Sequence, residues 1–165
     1  GHVDSLLVAA GSAAATLGVP DSPGVTAGAG QDTIVLSYNN CEEIVAAFAK
    51  YAGQIAAVIL EPVVGNMGCV PATPEFMACL RSETEKDGAI LIFDEVMSGF
   101  RATLRGAEDI TGTVPDLITM GKVIGGGMPV GAFGGKKEIM MNLGPGKVFQ
   151  GGTYSGNALS TAAAD

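Results

Sequence analysis

The stretch AILIFDEVMSGFR, residues 89–101, decides the fold. Five apolar residues, Ala89 to Phe93, run without interruption and end on two carboxylates, Asp94 and Glu95. Such a run reads as a strand buried on both faces, the kind found in a parallel sheet covered by helices. A carboxylate is expensive to bury unless something pairs with it, so a cationic partner is the first thing to seek. As neighbours on a strand the two acids point to opposite faces and cannot work together as an acid/base pair. Only one can face a ligand, and Glu95 is read as the one facing away.

Working outward, AAVILEPVV (56–64) is another continuous apolar run of strand type, stopped at Gly65 and Asn66. Thr73 followed by Pro74 is a helix-start signal, with Gly88 as the expected end. Strand, helix and strand make a βαβ unit. A short helix near 105–111 leads to DLITM (116–120), a third strand ending at Gly121-Lys122, and GAFGG (131–135) reads as a fourth. Upstream, beyond an irregular Gly-, Ser- and Pro-rich segment (11–32), DTIVLSY (32–38) reads as a strand. Asn40 and Glu43 form a capping pair for a helix over 41–52, with Ile44, Val45, Phe48, Ala49 and Ala52 on its apolar face. The expected class is α/β, a mostly parallel sheet flanked by helices. In such open sheets ligands bind at the carboxyl ends of the strands, where Asn66, Asp94 and Lys122 sit.

Composition narrows the functions. The 165 residues fit one domain, and a 47% hydrophobic content argues against disorder. Apolar runs such as AAVIL (56–60) fall far short of the roughly 20 residues that span a bilayer. A net charge of −8, with Lys136-Lys137 the only adjacent basic pair, makes nucleic acid a poor partner. Cys41, Cys69 and Cys79 are odd in number and form no CxxC pair, so neither a disulfide framework nor a metal site is expected; three inert packing thiols in a reducing compartment fit best. The chain opens on Gly1 and stops within the helix-like run NALSTAAAD, which reads as a piece of a longer protein.

An apolar strand ending in Asp-Glu also fits the magnesium-binding strand of a nucleotide hydrolase, which needs a G-x-x-x-x-G-K-[ST] loop as well. Both candidates fail: Lys122 and Lys147 are followed by valines, and Asp116 and Met141 stand where the first glycine belongs. A second reading pairs the carboxylate with the protonated ring nitrogen of pyridoxal phosphate, which must stay protonated to draw electrons from a substrate carbanion. That cofactor also needs a lysine amine, and Lys122 follows a strand and precedes Gly125-Gly126-Gly127, which leaves room for a ring near the backbone. It needs a phosphate site, and QGGTYSGNAL (150–159) places two glycines and the Thr153 hydroxyl before a helix expected to start near Ser155 or Gly156. Taken singly, the acid and the glycines read equally well as a strand-end cap and an ordinary helix start, and a lysine after a strand is more often a solvated surface residue. Their alignment on one cofactor carries the reading.

GSAAATLGVPDSPGV, AAVILEPVVGNMG, LIFDEVMSGFR, PDLITMGKVIGGGMPVGAFGG and QGGTYSGN, in this order, resemble the glutamate-1-semialdehyde 2,1-aminomutase family within the class III aminotransferases. Met after Asp-Glu-Val resembles that branch more than ordinary class III transaminases, which tend to carry Gln. The resemblance implies a three-layer, aspartate-aminotransferase-type large domain of which residues 1–165 are part, the N-terminal segment and C-terminal small domain lying outside. It implies pyridoxal 5'-phosphate and pyridoxamine 5'-phosphate as cofactor. The reaction is an intramolecular amino transfer that converts a small amino-aldehyde, glutamate 1-semialdehyde, to 5-aminolevulinate for tetrapyrrole synthesis.

By the same resemblance Lys122 matches the Schiff-base lysine, and Asp94 the acid on the ring nitrogen. Asn66 matches a residue near the ring hydroxyl, and Thr153 the threonine that reaches the phosphate of the neighbouring subunit, which implies a homodimer with a shared site. Ser12 matches a position in a mobile gate over residues 11–18. There Ala13 replaces the usual Gly, which makes a stiffer gate, and Tyr154, Ala158 and Thr161 replace Leu, Pro and Met. The upstream phosphate loop, the stacking aromatic and the substrate-carboxylate contacts of the family lie outside this stretch, which is not expected to turn over alone. His2 and Glu61 are read as structural. The family is found in bacterial cytoplasm and plastid stroma. The alternatives are a class III transaminase with an external amino acceptor and a non-catalytic fragment of the fold.

Overall fold

The computed structural model describes residues 3–7, 24–144 and 147–165. After a 3-10 turn at Asp4–Leu6 come α1 (Ala27–Gly30), α2 (Cys41–Lys50), β1 (Ala57–Leu60), β2 (Val63–Val64), β3 (Val70–Pro71), α3 (Pro74–Asp87) and β4 (Ile90–Asp94). Then follow α4 (Glu108–Thr111), β5 (Leu117–Met120), a 3-10 turn at Lys122–Gly125, β6 (Ala132–Gly135), α5 (Lys137–Met140) and α6 (Ala158–Ala164). The main sheet has the order β1-β4-β5-β6, its first three strands parallel and β6 antiparallel to β5. β2 and β3 form a separate antiparallel pair.

The two long helices are fixed by their ends. The Asn40 side chain accepts the Glu43 N–H (3.2 Å) while its amide donates to the Glu43 carboxylate (2.9 Å), the reciprocal cap expected from the sequence. That carboxylate also accepts the Ser37 N–H at 2.7 Å, which ties the incoming chain to the helix. The Thr73 hydroxyl accepts the Phe76 N–H (3.2 Å), Pro74 opens α3, and Gly88 closes it in the left-handed region (φ 76°). Ile44 and Phe48 of α2 and Phe76, Met77 and Leu80 of α3 pack with Leu91 and Phe93 of β4, joined by Val58, Leu60 and Ile118 on the flanking strands. Each fully buried side chain of this size contributes about 1.5–3 kcal/mol. The other face of the sheet stays half-open, with Ile59 44% and Phe133 45% exposed.

Several expectations are corrected. DTIVLSY is no strand: residues 33–37 pair with no neighbouring strand, although Leu36 and Tyr38 pack on the core. β-propensity yields a strand only where an edge is there to pair with. AAVILEPVV is two short strands, because Pro62 has no N–H to continue the ladder. The Tyr38 hydroxyl holds that kink through the carbonyls of Glu61 (2.9 Å) and Pro62 (3.1 Å). α2 ends at Lys50, and Val45, Ala49 and Ala52 are exposed while Ala47 is buried. Cys41 and Cys79 are not free thiols but a disulfide joining α2 to α3, and Cys69 is exposed rather than packed. Cysteine count and spacing report nothing about helices that pack side by side.

Candidate active site

Parallel pairing puts the carboxyl ends of β4 and β5 side by side. Asp94 stands opposite Thr119, and the Glu95 N–H donates to the Thr119 carbonyl at 2.8 Å. One residue on, Val96 packs against Gly121: a Cβ built there lies 3.5 Å from the valine side chain. Asp94 and Lys122 therefore emerge from adjoining strands at one edge of the sheet. The Asn66 turn joins them from the other side, because a Cβ at Gly65 lies 3.1 Å from the Met97 methyl. The Glu61 carboxylate accepts the Gly65 N–H at 3.2 Å and holds that turn, the structural role read from the sequence. Asn66 itself is exposed.

Asp94 is half-buried, and one of its oxygens accepts the Val96 N–H at 3.0 Å. Among the described residues its second oxygen has no partner. Lys122 is exposed, opens the 3-10 turn with φ 49°, and forms no ion pair with a described carboxylate. A non-glycine residue in the left-handed region is strained, and such strain concentrates at functional sites. The glycine triplet after it has a role the sequence did not suggest. Gly126 (φ 56°) and Gly127 (φ 98°) take conformations that disfavour side chains, and a Cβ at Gly125 meets Val130 at 3.2 Å. Only at Gly127 does the space beside the backbone stay open.

The helix after Thr153 starts at Ala158, two to three residues later than expected, where the Asn157 side chain accepts the Ser160 N–H (3.1 Å). α6 packs on the Lys122 turn, the Ala163 carbonyl lying 3.2 Å from a Cβ built at Gly126. Thr153 is in the exposed turn before it, and no hydrogen bond among the described residues joins its side chain to the other three. Ser12, Ala13 and His2 lie outside the described residues.

The sequence turned Glu95 away from the ligand face without naming its partners, and it assigned Asp116 no role. Glu95, 4% exposed, meets no cation among the described residues: one of its oxygens accepts the Ser98 hydroxyl (3.1 Å) and the Ala107 N–H (2.9 Å). Asp116, just before β5, accepts the Leu91 N–H (2.7 Å) and pairs with Arg81 (3.1 Å) and Lys136 (2.6 Å). Burial alone pushes its carboxyl up, but the Leu91 N–H, Lys136 and Arg81 outweigh that and hold it below the usual carboxylate range. The desolvation argument applied to Asp94 predicts such partners for any acid beside a buried strand, and it was the signal available. Burial first, and the negative charge of Glu61 second, raise the Tyr38 hydroxyl to about 12. An open cleft of about 560 Å³, lined by Arg81, Glu85, Thr113 and Lys136, lies by the amino end of β5, away from the Asp94–Lys122 edge.

The donor set at that edge suits a ring with a cationic nitrogen at one end and an amine-reactive carbonyl at the other. Among the described residues, a carboxylate with an uncommitted oxygen and an unpaired primary amine stand on adjoining strand ends. Comparison with known proteins points the same way. The profile of the aminotransferase class-III family matches residues 1–165. The chain is 62% identical over 164 residues to the glutamate-1-semialdehyde 2,1-aminomutase of Rhodopirellula baltica, covering 99% of this chain and 37% of that relative. An omega-transaminase from Sphaerobacter thermophilus superposes with a TM-score of 0.83 at 36% identity, over 88% of this chain and 34% of that one. A glutamate-1-semialdehyde aminomutase from Pseudomonas aeruginosa matches with a TM-score of 0.73 at 28% identity, over 99% and 38%.

Proposed function

The chain belongs to the class-III aminotransferase family, and from that premise we propose that it is part of the large, cofactor-binding domain of a glutamate-1-semialdehyde 2,1-aminomutase. The chain spans a little over a third of the length of the curated relatives it matches. The activity therefore belongs to the complete protein, acting as a homodimer; the cytoplasm is the compartment the family resemblance implies, and the Cys41–Cys79 disulfide removes the support that free thiols gave it. Curated relatives at 54–62% identity over 99% of this chain carry the aminomutase name, and that supports the mutase over transfer to an external acceptor.

Pyridoxal 5'-phosphate supplies an electron-withdrawing ring and a carrier for the amino group. Asp94 is the residue that keeps a proton on the ring nitrogen, through the oxygen that Val96 leaves uncommitted. Lys122 holds the ring at rest, and its Nζ moves protons between the two reacting carbons of the substrate. Asn66 orients the ring hydroxyl, Thr153 reaches the phosphate in the partner subunit, and Ser12 belongs to the gate over the site. The observation that carries the reading is the adjoining ends of β4 and β5, with a carboxylate on one and an unpaired amine past the other.

An intramolecular amino transfer balances its atoms within one substrate and consumes no second donor. The complete protein, given glutamate 1-semialdehyde as its sole substrate, is expected to yield stoichiometric 5-aminolevulinate. A need for an added amino donor or acceptor rejects the mutase in favour of a transaminase. Borohydride reduction followed by peptide mass mapping is expected to place the pyridoxyl label on Lys122, and a label elsewhere removes that assignment.

A further inference from the structure

Glu95 is unusual in this molecule: it is the buried carboxylate that no described cation touches. Removing a carboxylate from water without a counter-charge is costly, so its hydrogen bonds must hold it firmly. One oxygen accepts two donors from opposite ends of the loop that follows β4, the Ser98 hydroxyl at 3.1 Å and the Ala107 N–H at 2.9 Å. Its main chain is fixed as well, the N–H to the Thr119 carbonyl and the carbonyl to the Gly99 N–H, both at 2.8 Å. The loop closes so tightly that a Cβ at Gly106 falls 2.3 Å from a Glu95 oxygen, and Gly106 sits at φ 67°, where glycine is favoured. Ala107 is fully buried, so this closure is part of the core and not a surface contact.

We propose that Glu95 is a positioning residue for Asp94: by locking residues 95–107 onto the opposite face of β4, it fixes the direction in which the Asp94 carboxylate leaves the strand. Adjacent strand residues point to opposite faces, so an anchor on one side sets the orientation on the other. Asp94 has a single described hydrogen bond of its own, from the Val96 N–H, and Val96 is the next residue of the locked loop. The inference rests on the reading of Asp94 as the acid that keeps the ring nitrogen protonated.

The test uses the complete protein loaded with pyridoxal 5'-phosphate labelled with ¹⁵N in its ring, whose chemical shift reports protonation of that nitrogen across pH. Glu95→Met removes the acceptor and is expected to move the titration down by about one pH unit, a tenfold weaker hold on the proton. Glu95→Gln keeps an oxygen for the same two donors and is expected to restore the wild-type curve. Thr103→Ala, which removes the 2.7 Å bond to the Gly106 carbonyl and loosens the same loop, is expected to lower thermal stability without moving the titration. Should Glu95→Met fail to fold, Gly106→Ala presses on the same carboxylate and is expected to give the same downward shift. A wild-type titration in Glu95→Met or Gly106→Ala overturns the positioning role, as does an equal shift in Thr103→Ala. Asp94→Asn separates the two readings: if it titrates as wild type, the role of Asp94 itself fails, whatever the Glu95 variants do.

Discussion

Asp116 shows what a buried carboxylate requires when its partners are charged. It links β4, α3 and the chain after β6 through the Leu91 N–H, Arg81 and Lys136. Because these hold its folded-state carboxyl below the ordinary value of about 3.9, its contribution is fully present above that value and is lost as pH falls through the lowered folded-state value. Asp116→Asn is expected to cost about 2–3 kcal/mol at pH 7, since it removes the described counter-charge of Lys136 and leaves the partly buried Arg81 with Glu85 alone. Urea unfolding followed from pH 7 to pH 2 should show the gap between variant and wild type narrowing below about pH 4 and closing as the wild-type carboxyl protonates. A gap that stays constant to pH 2 would assign the cost to packing. At this scale the sequence was legible where spacing decides. Alternation on a strand was enough to send Asp94 and Glu95 to opposite sides. It could not name the Ser98 and Ala107 donors of Glu95, which come from a loop closure, nor the cations of Asp116, which arrive from distant segments.

Among the elements, the helices were read well because their signals are local. Asn40 with Glu43, Thr73 with Pro74, and Gly88 each act within one turn of the residue that carries them. The strands were read less well where pairing matters. Pro62 splits one apolar run, and DTIVLSY has the residues of a strand without an edge to join. The Cys41–Cys79 bond was invisible for the same reason: it depends on α2 packing beside α3, across a separation of 38 residues. Closing a loop of that size is worth at most about 4 kcal/mol in the chain-entropy account. Cys79→Ser is therefore expected to lower the unfolding free energy of the complete protein by about 2–4 kcal/mol, measured by chemical denaturation without reductant. Added reductant should bring the wild type down to the variant and leave the variant unchanged. Equal stability of the two without reductant would mean that the bond does not form in solution.

For the molecule as a whole, the α/β class and the edge that gathers Asn66, Asp94 and Lys122 were legible, because buried parallel strands direct their carboxyl ends one way. The state of the second sheet face was not, since the sequence of β1 and β4 reads as buried on both sides. Register places Ile59, Ile92, Leu117 and Phe133 on the face opposite the α2–α3 core, where Ile59 is 44% and Phe133 45% exposed. Apolar strands of this kind belong to sheets covered on both sides, and the curated relatives are more than twice as long as this chain. The prediction is that Ile59 is covered in a complete protein of the relatives' length, and one substitution should then have opposite effects in the two settings. Ile59→Lys in the 165-residue chain replaces exposed apolar surface with charge and is expected to raise soluble yield and reduce binding of a hydrophobic dye. In the complete protein the same lysine must be buried or must open the packing, and is expected to cost about 2–4 kcal/mol in denaturant unfolding. If Ile59→Lys costs nothing in the complete protein, this face stays open to solvent there, and the strands are apolar for a reason other than burial.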